Sequence, residues 1–253
     1  MLFSARRPRR RLATALAVAT LAACHHGRLG APLTPTTEFA AAMRSFRQGR
    51  WSNARDRLQR LNYELGTRDS LLPSVRFYSA ECLMGLGQLL TAAHDFRRMA
   101  DDYPSDSLAP VALLRAGDAY DRLWRRIALD PSNGQTALAT YQELAGRYPD
   151  TPPARLAALR IRDLQDRFAR KDYESGLFYF KRGGYDSAIL YFRSLIAQYP
   201  GASVVPEAFV KLVEAYRAIG YREELNETCA HLRQYYGGRA DVRKVCGDRN
   251  PGR

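Results

Sequence analysis

Nucleophilic, acid–base or metal chemistry in this chain would draw first on its four histidines and four cysteines. His25 and His26 are adjacent, but a tetrahedral metal needs more ligands than the segment around them supplies, so a solvated linker is the expected setting. His94 and His231 fall in amphipathic stretches and are expected on polar helix faces. Neither has a serine or cysteine at a spacing that would activate a nucleophile. The acidic pairs Asp101-Asp102 and Glu223-Glu224 lie near helix ends, and no pair is placed for proton transfer. The serine-hydrolase elbow, dinucleotide fingerprint, Walker loop and His-Glu-x-x-His pattern are all missing. No catalytic residue, metal ligand or cofactor is expected.

The residue with a chemical signature is Cys24. Arg6, Arg7, Arg9, Arg10 and Arg11 form a cationic start, Leu12 to Ala23 an apolar run, and small residues precede the cysteine, as in a secretory signal. That run is too short to span a bilayer, which takes about 20 residues. Leu21-Ala22-Ala23-Cys24 resembles the bacterial lipobox, whose cysteine thiol receives a diacylglyceryl group before cleavage. Residues 1–23 are therefore read as a lipoprotein signal peptide, with Cys24 as the lipidated first residue of the mature chain. Two or three acyl chains hold a protein stably where one gives only marginal attachment. His25 is not the aspartate associated with inner-membrane retention, which points to the outer membrane. Residues 24–35, with Gly27, Gly30, Pro32 and Pro35, read as a flexible tether, and residues 247–253 as a disordered tail.

The signal holds five arginines and no other charge, so its removal lowers the net charge from +13 to +8. That surplus suits an acidic protein surface or anionic headgroups, and export argues against nucleic acid as a partner. Three cysteines remain beyond Cys24. Cys82 lies in an apolar stretch and reads as core. Cys229 and Cys246 flank the Gly237-Gly238 turn, and an oxidising compartment permits a disulfide between them. The competing reading leaves Cys229 as an inert core residue.

Richness in Ala, Leu, Arg and Tyr with few β-branched runs predicts an all-α fold, and internal self-similarity predicts its architecture. The clearest copy runs Gly176, Tyr179, Gly183, Tyr185, Ala188, Phe192, Leu195, Tyr199, Pro200 and follows the tetratricopeptide (TPR) spacing. Small residues at a crossing point let helices approach, an aromatic fills the groove, and proline ends the second helix. The same grid fits four more times, at Ala54, Ala92, Ala137 and Leu225 in the place of Ala188. The expectation is a TPR-like right-handed α-solenoid of about five helix pairs over 36–246, since one pair cannot bury its apolar face alone. Its repeats fall at 38–66, 75–104, 110–149, 172–200 and 206–236. An inter-repeat helix is expected at 153–170, with Leu156, Leu159, Ile161, Leu164 and Phe168 packed on the third unit.

The stretch from Ala137 to Gly220 resembles the BamD family, lipoprotein subunits of the outer-membrane β-barrel assembly machinery. The residues carrying this are Asp130-Pro131, Tyr148-Pro149-Asp150-Thr151, Arg160, Leu164, Arg167-Phe168-Ala169 and Tyr173-Glu174-x-Gly176-x-Phe178-Tyr179-x2-Arg182-Gly183. The resemblance implies a non-catalytic scaffold held by covalent lipid at the periplasmic face of the outer membrane. It implies binding to the POTRA domains of a BamA-like barrel subunit, contact with other assembly-complex lipoproteins, and engagement of unfolded outer-membrane proteins. Barrel-subunit contact would fall to Tyr179, Arg182, Asp186, Tyr191 and Arg193. A substrate groove on the concave face would fall to Arg44, Arg47, Arg76 and Tyr78. The main alternative is a periplasmic TPR protein that coordinates envelope division or peptidoglycan synthesis with the Tol-Pal system. Such proteins usually carry a coiled coil before their repeats and lack a lipobox, which does not suit this chain. A hydrolase acting on envelope polymer would need a nucleophile and base that the sequence does not supply.

Overall fold

The computed structural model describes residues 34–247. The signal peptide, Cys24, His25, His26, all but the end of the tether and the tail from residue 248 onward lie outside the described residues. The described residues form eleven helices and no strand: α1 (Pro35–Arg47), α2 (Trp51–Glu64), α3 (Leu72–Gly85), α4 (Leu89–Asp102), α5 (Ala109–Leu123), α6 (Ser132–Arg147), α7 (Pro152–Phe180), α8 (Tyr185–Gln198), α9 (Val205–Ile219), α10 (Arg222–Tyr236) and α11 (Ala240–Cys246). Consecutive helices pack as five antiparallel pairs, closed by the short α11.

Local sequence chemistry explains the alternation. Every first helix of a pair opens with proline in its first two positions, at Pro35, Pro73, Pro110, Pro152 and Pro206, where the missing N–H is not needed. Three second helices end at a tyrosine before proline, and Tyr103, Tyr148 and Tyr199 share φ near −130° and ψ near 60°. The following proline ring excludes the helical region for its predecessor, so the helix stops there. Within four of the five pairs the turn holds a left-handed glycine, Gly49, Gly87, Gly183 or Gly220, a conformation that side chains with a Cβ resist.

The third pair has no such glycine and joins α5 to α6 through residues 124–131. α7 secures this longer connection. The Trp124 ring stacks on Phe168 at 4.6 Å, the Arg167 guanidinium lies 4.5 Å over the indole and donates to the Trp124 carbonyl at 2.6 Å, and Lys171 Nζ donates to the carbonyls of Ile127 and Leu129. Arg167 also pairs with Asp121.

α7 departs from the sequence reading, which separates an inter-repeat helix at 153–170 from the fourth pair's first helix beginning at 172. The two are one unbroken helix of 29 residues, about 44 Å long. Neither proline nor glycine occurs between Pro153 and Gly176, so nothing stops the helix where the repeat grid places a boundary. Its buried stripe passes from Ala157, Leu164 and Phe168 in the core of the middle pairs to Ala169 in the core of the fourth and fifth. Leu156 and Leu159, expected to pack on the third unit, are instead 39% and 58% exposed. The stripe at 154, 157, 161, 164 and 168 follows the helical period, and those two leucines fall outside it.

Four apolar clusters follow one another along the stack and share residues at their borders. Tyr78 links the first pair to the second, Tyr199 the middle pairs to the fourth, and Phe209 and Leu225 the fourth to the last. At the end, α11 sets Val242 and Val245 on Val210, Val213 and Leu232, and Cys246 is disulfide-bonded to Cys229 of α10 with Cα atoms 5.5 Å apart. The free thiol among the described residues, Cys82, is fully buried, and burial pushes its pKa up to about 12. Stabilisation by the neutral thiol is complete below the ordinary thiol range and is lost as pH rises toward that value. Cys82 should therefore stay unalkylated at pH 8 in the folded protein and react once denaturant unfolds it; labelling of the native chain would show that the first two pairs open.

Candidate partner-binding site

The α7–α8 hairpin presents a group of aromatic side chains beside an arginine. Its crossing is set by Gly176, which lets the fully buried Phe192 ring lie against the α7 backbone. Three residues beyond Gly176, Tyr179 faces Tyr191 in a parallel stack, centroids 5.5 Å apart and planes 15° apart. Phe178 stands edge-on to Tyr179 and is 50% exposed. The Arg182 guanidinium covers the Phe178 ring at 3.6 Å from its centroid. The N–H groups of Arg182 and Gly184 both donate to the Tyr179 carbonyl, which fixes the turn that carries Arg182.

Of the five residues expected at the barrel-subunit contact, the structure brings together Tyr179, Tyr191 and Arg182. Asp186 is exposed in the first turn of α8. Arg193 turns toward Tyr216 of α9, whose hydroxyl pKa is raised by burial and pulled back by that guanidinium. Phe178 was missed by the sequence reading, because its place in the helix suggests packing and only the tertiary structure leaves it open to solvent. Leu190, 70% exposed, widens the apolar surface of α8.

The four residues expected in a substrate groove are not gathered. Arg44 and Arg47 are exposed on α1. Tyr78 is half-buried among Phe39, Phe46 and Phe77, with Phe46 and Phe77 at 5.3 Å, so it is a core residue at the junction of two pairs. Arg76 is held by Asp102, by Asn62 Oδ1 at 3.3 Å and over the Tyr103 ring at 5.2 Å. It lines a cleft of about 220 Å3 between α2, α3 and α4, which also receives Arg55, Tyr63 and Arg98. A second cleft, about 370 Å3, opens between α7, α9 and α11 and is lined by Tyr173, Lys211, Glu214, Arg217 and Lys244.

The remaining histidines have ordinary settings. His94 is exposed beside Asp95, as expected. His231 differs from the polar-face expectation: it is half-buried against Phe209 at 4.6 Å and Tyr235 at 4.7 Å, because the aromatic residues of α9 and α10 enclose it. No group of three His, Cys, Asp or Glu side chains among the described residues is arranged to hold a metal ion. None of the described helices is long and apolar enough to cross a membrane.

The outer membrane protein assembly factor BamD of Caulobacter vibrioides is 27% identical over 191 residues, covering 76% of this chain and 62% of that protein. The chain thus spans less than two thirds of that relative's length. Among solved structures, the TPR2AB domain of yeast Sti1 aligns over 84% of this chain and 81% of its own, with a TM-score of 0.44 and 12% identity. A tetratricopeptide repeat protein of Parabacteroides merdae aligns over 83% of each chain, with a TM-score of 0.39 and 13% identity. Residues 33–232 match YfiO, described as outer membrane lipoprotein, and the chain belongs to that family, an all-α, lipid-anchored family of the outer membrane that includes BamD.

Proposed function

We propose that this lipoprotein is a non-catalytic scaffold of outer-membrane protein assembly. On this reading its fourth and fifth helix pairs dock the periplasmic POTRA domains of a BamA-like barrel subunit, and its first two pairs hold unfolded outer-membrane proteins. Other lipoproteins of the assembly complex would share the periplasmic face, with Cys24 carrying the lipid, residues 24–35 serving as tether and 36–246 as solenoid. The observation that carries the reading is the array of exposed Phe178, Tyr179 and Arg182, with half-buried Tyr191 stacked on Tyr179, on a family member of this kind. Tyrosine and arginine are enriched among residues that dominate binding energy, and stacking in the free protein lowers the entropy lost on docking.

The test uses the purified POTRA region of the barrel subunit from the same cell. Tyr179→Ala combined with Tyr191→Ala should weaken its binding by about 30-fold, as expected if the stacked pair together contributes about 2 kcal/mol. Unchanged binding by a variant that melts like the parent chain would remove the hairpin from the interface. Recovery of Tol or peptidoglycan-synthase components in place of a barrel protein, from detergent-solubilised outer membrane, would overturn the assembly role.

A further inference from the structure

Positive charge is spread unevenly along the solenoid. Residues 24–71, the tether and the first helix pair, hold eight arginines against Glu38, Asp56, Glu64 and Asp69, whereas residues 72–108 hold three against five carboxylates. The first segment thus carries four of the mature chain's eight excess positive charges. Some arginines elsewhere are matched by carboxylates, Arg76 by Asp102, Arg115 by Glu81 and Arg147 by Asp101 and Glu143, whereas others, such as Arg122, Arg125 and Arg126, are not. In the first pair Arg57 and Arg60 converge on Glu38 at 2.8 and 3.3 Å. Arg44, Arg47 and Arg50 are exposed, and among the described residues no carboxylate lies within ion-pair distance of them. They occupy the last turn of α1 and the turn into α2, and Arg44 and Arg47 lie with Thr36, Thr37 and Ala40 on the exposed face of α1. α1 is the terminal helix of the described stack, and its main packing partner is α2.

These charges cannot stray far from the membrane. Thr34 is ten residue steps from Cys24, a span of at most about 35 Å fully extended. α1 adds about 20 Å. A surface held this close meets headgroups at high effective concentration, so attractions too weak to recruit a free protein still decide its orientation. We infer that Arg44, Arg47 and Arg50 form a second membrane contact, engaging anionic phospholipid headgroups beside the lipid anchor and setting how the solenoid stands on the bilayer. The contact rests on Cys24 as the lipid-bearing residue for its position, but its affinity is a property of the folded surface alone. The headgroup attraction is Coulombic, so it depends on the number of charges near the surface and vanishes with screening.

The experiment uses the mature chain from residue 24 with Cys24→Ser, so that no acyl chain contributes, and sedimentation with vesicles. The vesicles are phosphatidylcholine alone or equal parts phosphatidylcholine and phosphatidylglycerol. Binding is expected to the anionic vesicles only and to disappear near 1 M salt, where the Debye length is about 3 Å. Arg44→Gln, Arg47→Gln and Arg50→Gln together should lower partitioning by about tenfold or more, while the matching lysine variant should bind like the parent. Arg122→Gln, Arg125→Gln and Arg126→Gln, exposed at the end of α5 and in the connection that follows, should leave it unchanged. No binding to anionic vesicles, equal binding to neutral ones, or equal loss in both glutamine variants would overturn the inference. Mass spectrometry of the native amino terminus tests the lipid on Cys24 separately, so failure of one is not failure of the other.

Discussion

Gly176→Ala should destabilise the protein by about 1–3 kcal/mol, although the same change inside an ordinary helix stabilises by about 1 kcal/mol. A Cβ at this position would lie 2.5 Å from Phe192 Cε1 and under 3 Å from two further ring carbons. Phe192 is fully buried between α7 and α8 and has nowhere to retreat. Phe192→Ala should itself cost about 3–5 kcal/mol, through lost burial and the cavity left behind. The two effects are coupled: in the Phe192→Ala background the added methyl enters vacated space, and Gly176→Ala should turn neutral or favourable. Denaturant unfolding of the four proteins in this cycle measures the coupling. Additive behaviour, or a stabilising Gly176→Ala in the parent chain, would mean that the helices do not cross where the repeat register places them. The same logic holds at Gly117, whose Cβ would meet the buried Tyr141 ring at 2.4 Å.

Loss of the Cys229–Cys246 bond should have the other large effect, confined to one end of the molecule. The cysteines are 17 residues apart, and closing a loop of that size stabilises by about 3 kcal/mol in the chain-entropy model. α11 has seven residues, too few to persist without tertiary support. Its other attachments are Val242 and Val245 on the last apolar cluster, Arg217 to the Val245 carbonyl and Arg233 to the Cys246 carbonyl at 2.6 Å. In Cys246→Ser, or in the parent chain under reductant, α10 and α11 should exchange amide hydrogens faster while the helices from α3 to α7 keep their protection. A melting temperature and exchange pattern indifferent to reductant would show that the bond adds nothing to this end of the fold.

Much of the fold was legible because TPR packing writes itself locally. Proline at the start of first helices, Tyr-Pro at the end of second helices and a left-handed glycine between them are short-range steric rules, readable without knowing what packs on what. The length of α7 was less legible, because a repeat grid predicts boundaries by analogy whereas a helix ends only where a residue stops it. The aromatic patch was half legible: Tyr179, Arg182 and Tyr191 stand out by type, yet Phe178 on the surface and Arg193 turned toward α9 follow from the angle between helices. Tyr78 and His231 became half-buried for the same reason, since other helices, α1 for Tyr78 and α9 for His231, supplied aromatic surfaces that their own helix does not reveal by sequence.

By itself the sequence determined the all-α repeat and the order of its pairs, both properties of residue type and near spacing. Tertiary structure alone decided which arginines are neutralised and which face solvent, as the contrast of Arg76 with Arg44 shows. It also decided that α7 clamps the long α5–α6 connection through Arg167 and Lys171. The physical reason is range. Helix starts and stops are settled within a few residues of chain, whereas exposure and charge pairing depend on groups more than 20 residues away, brought close only when the pairs stack.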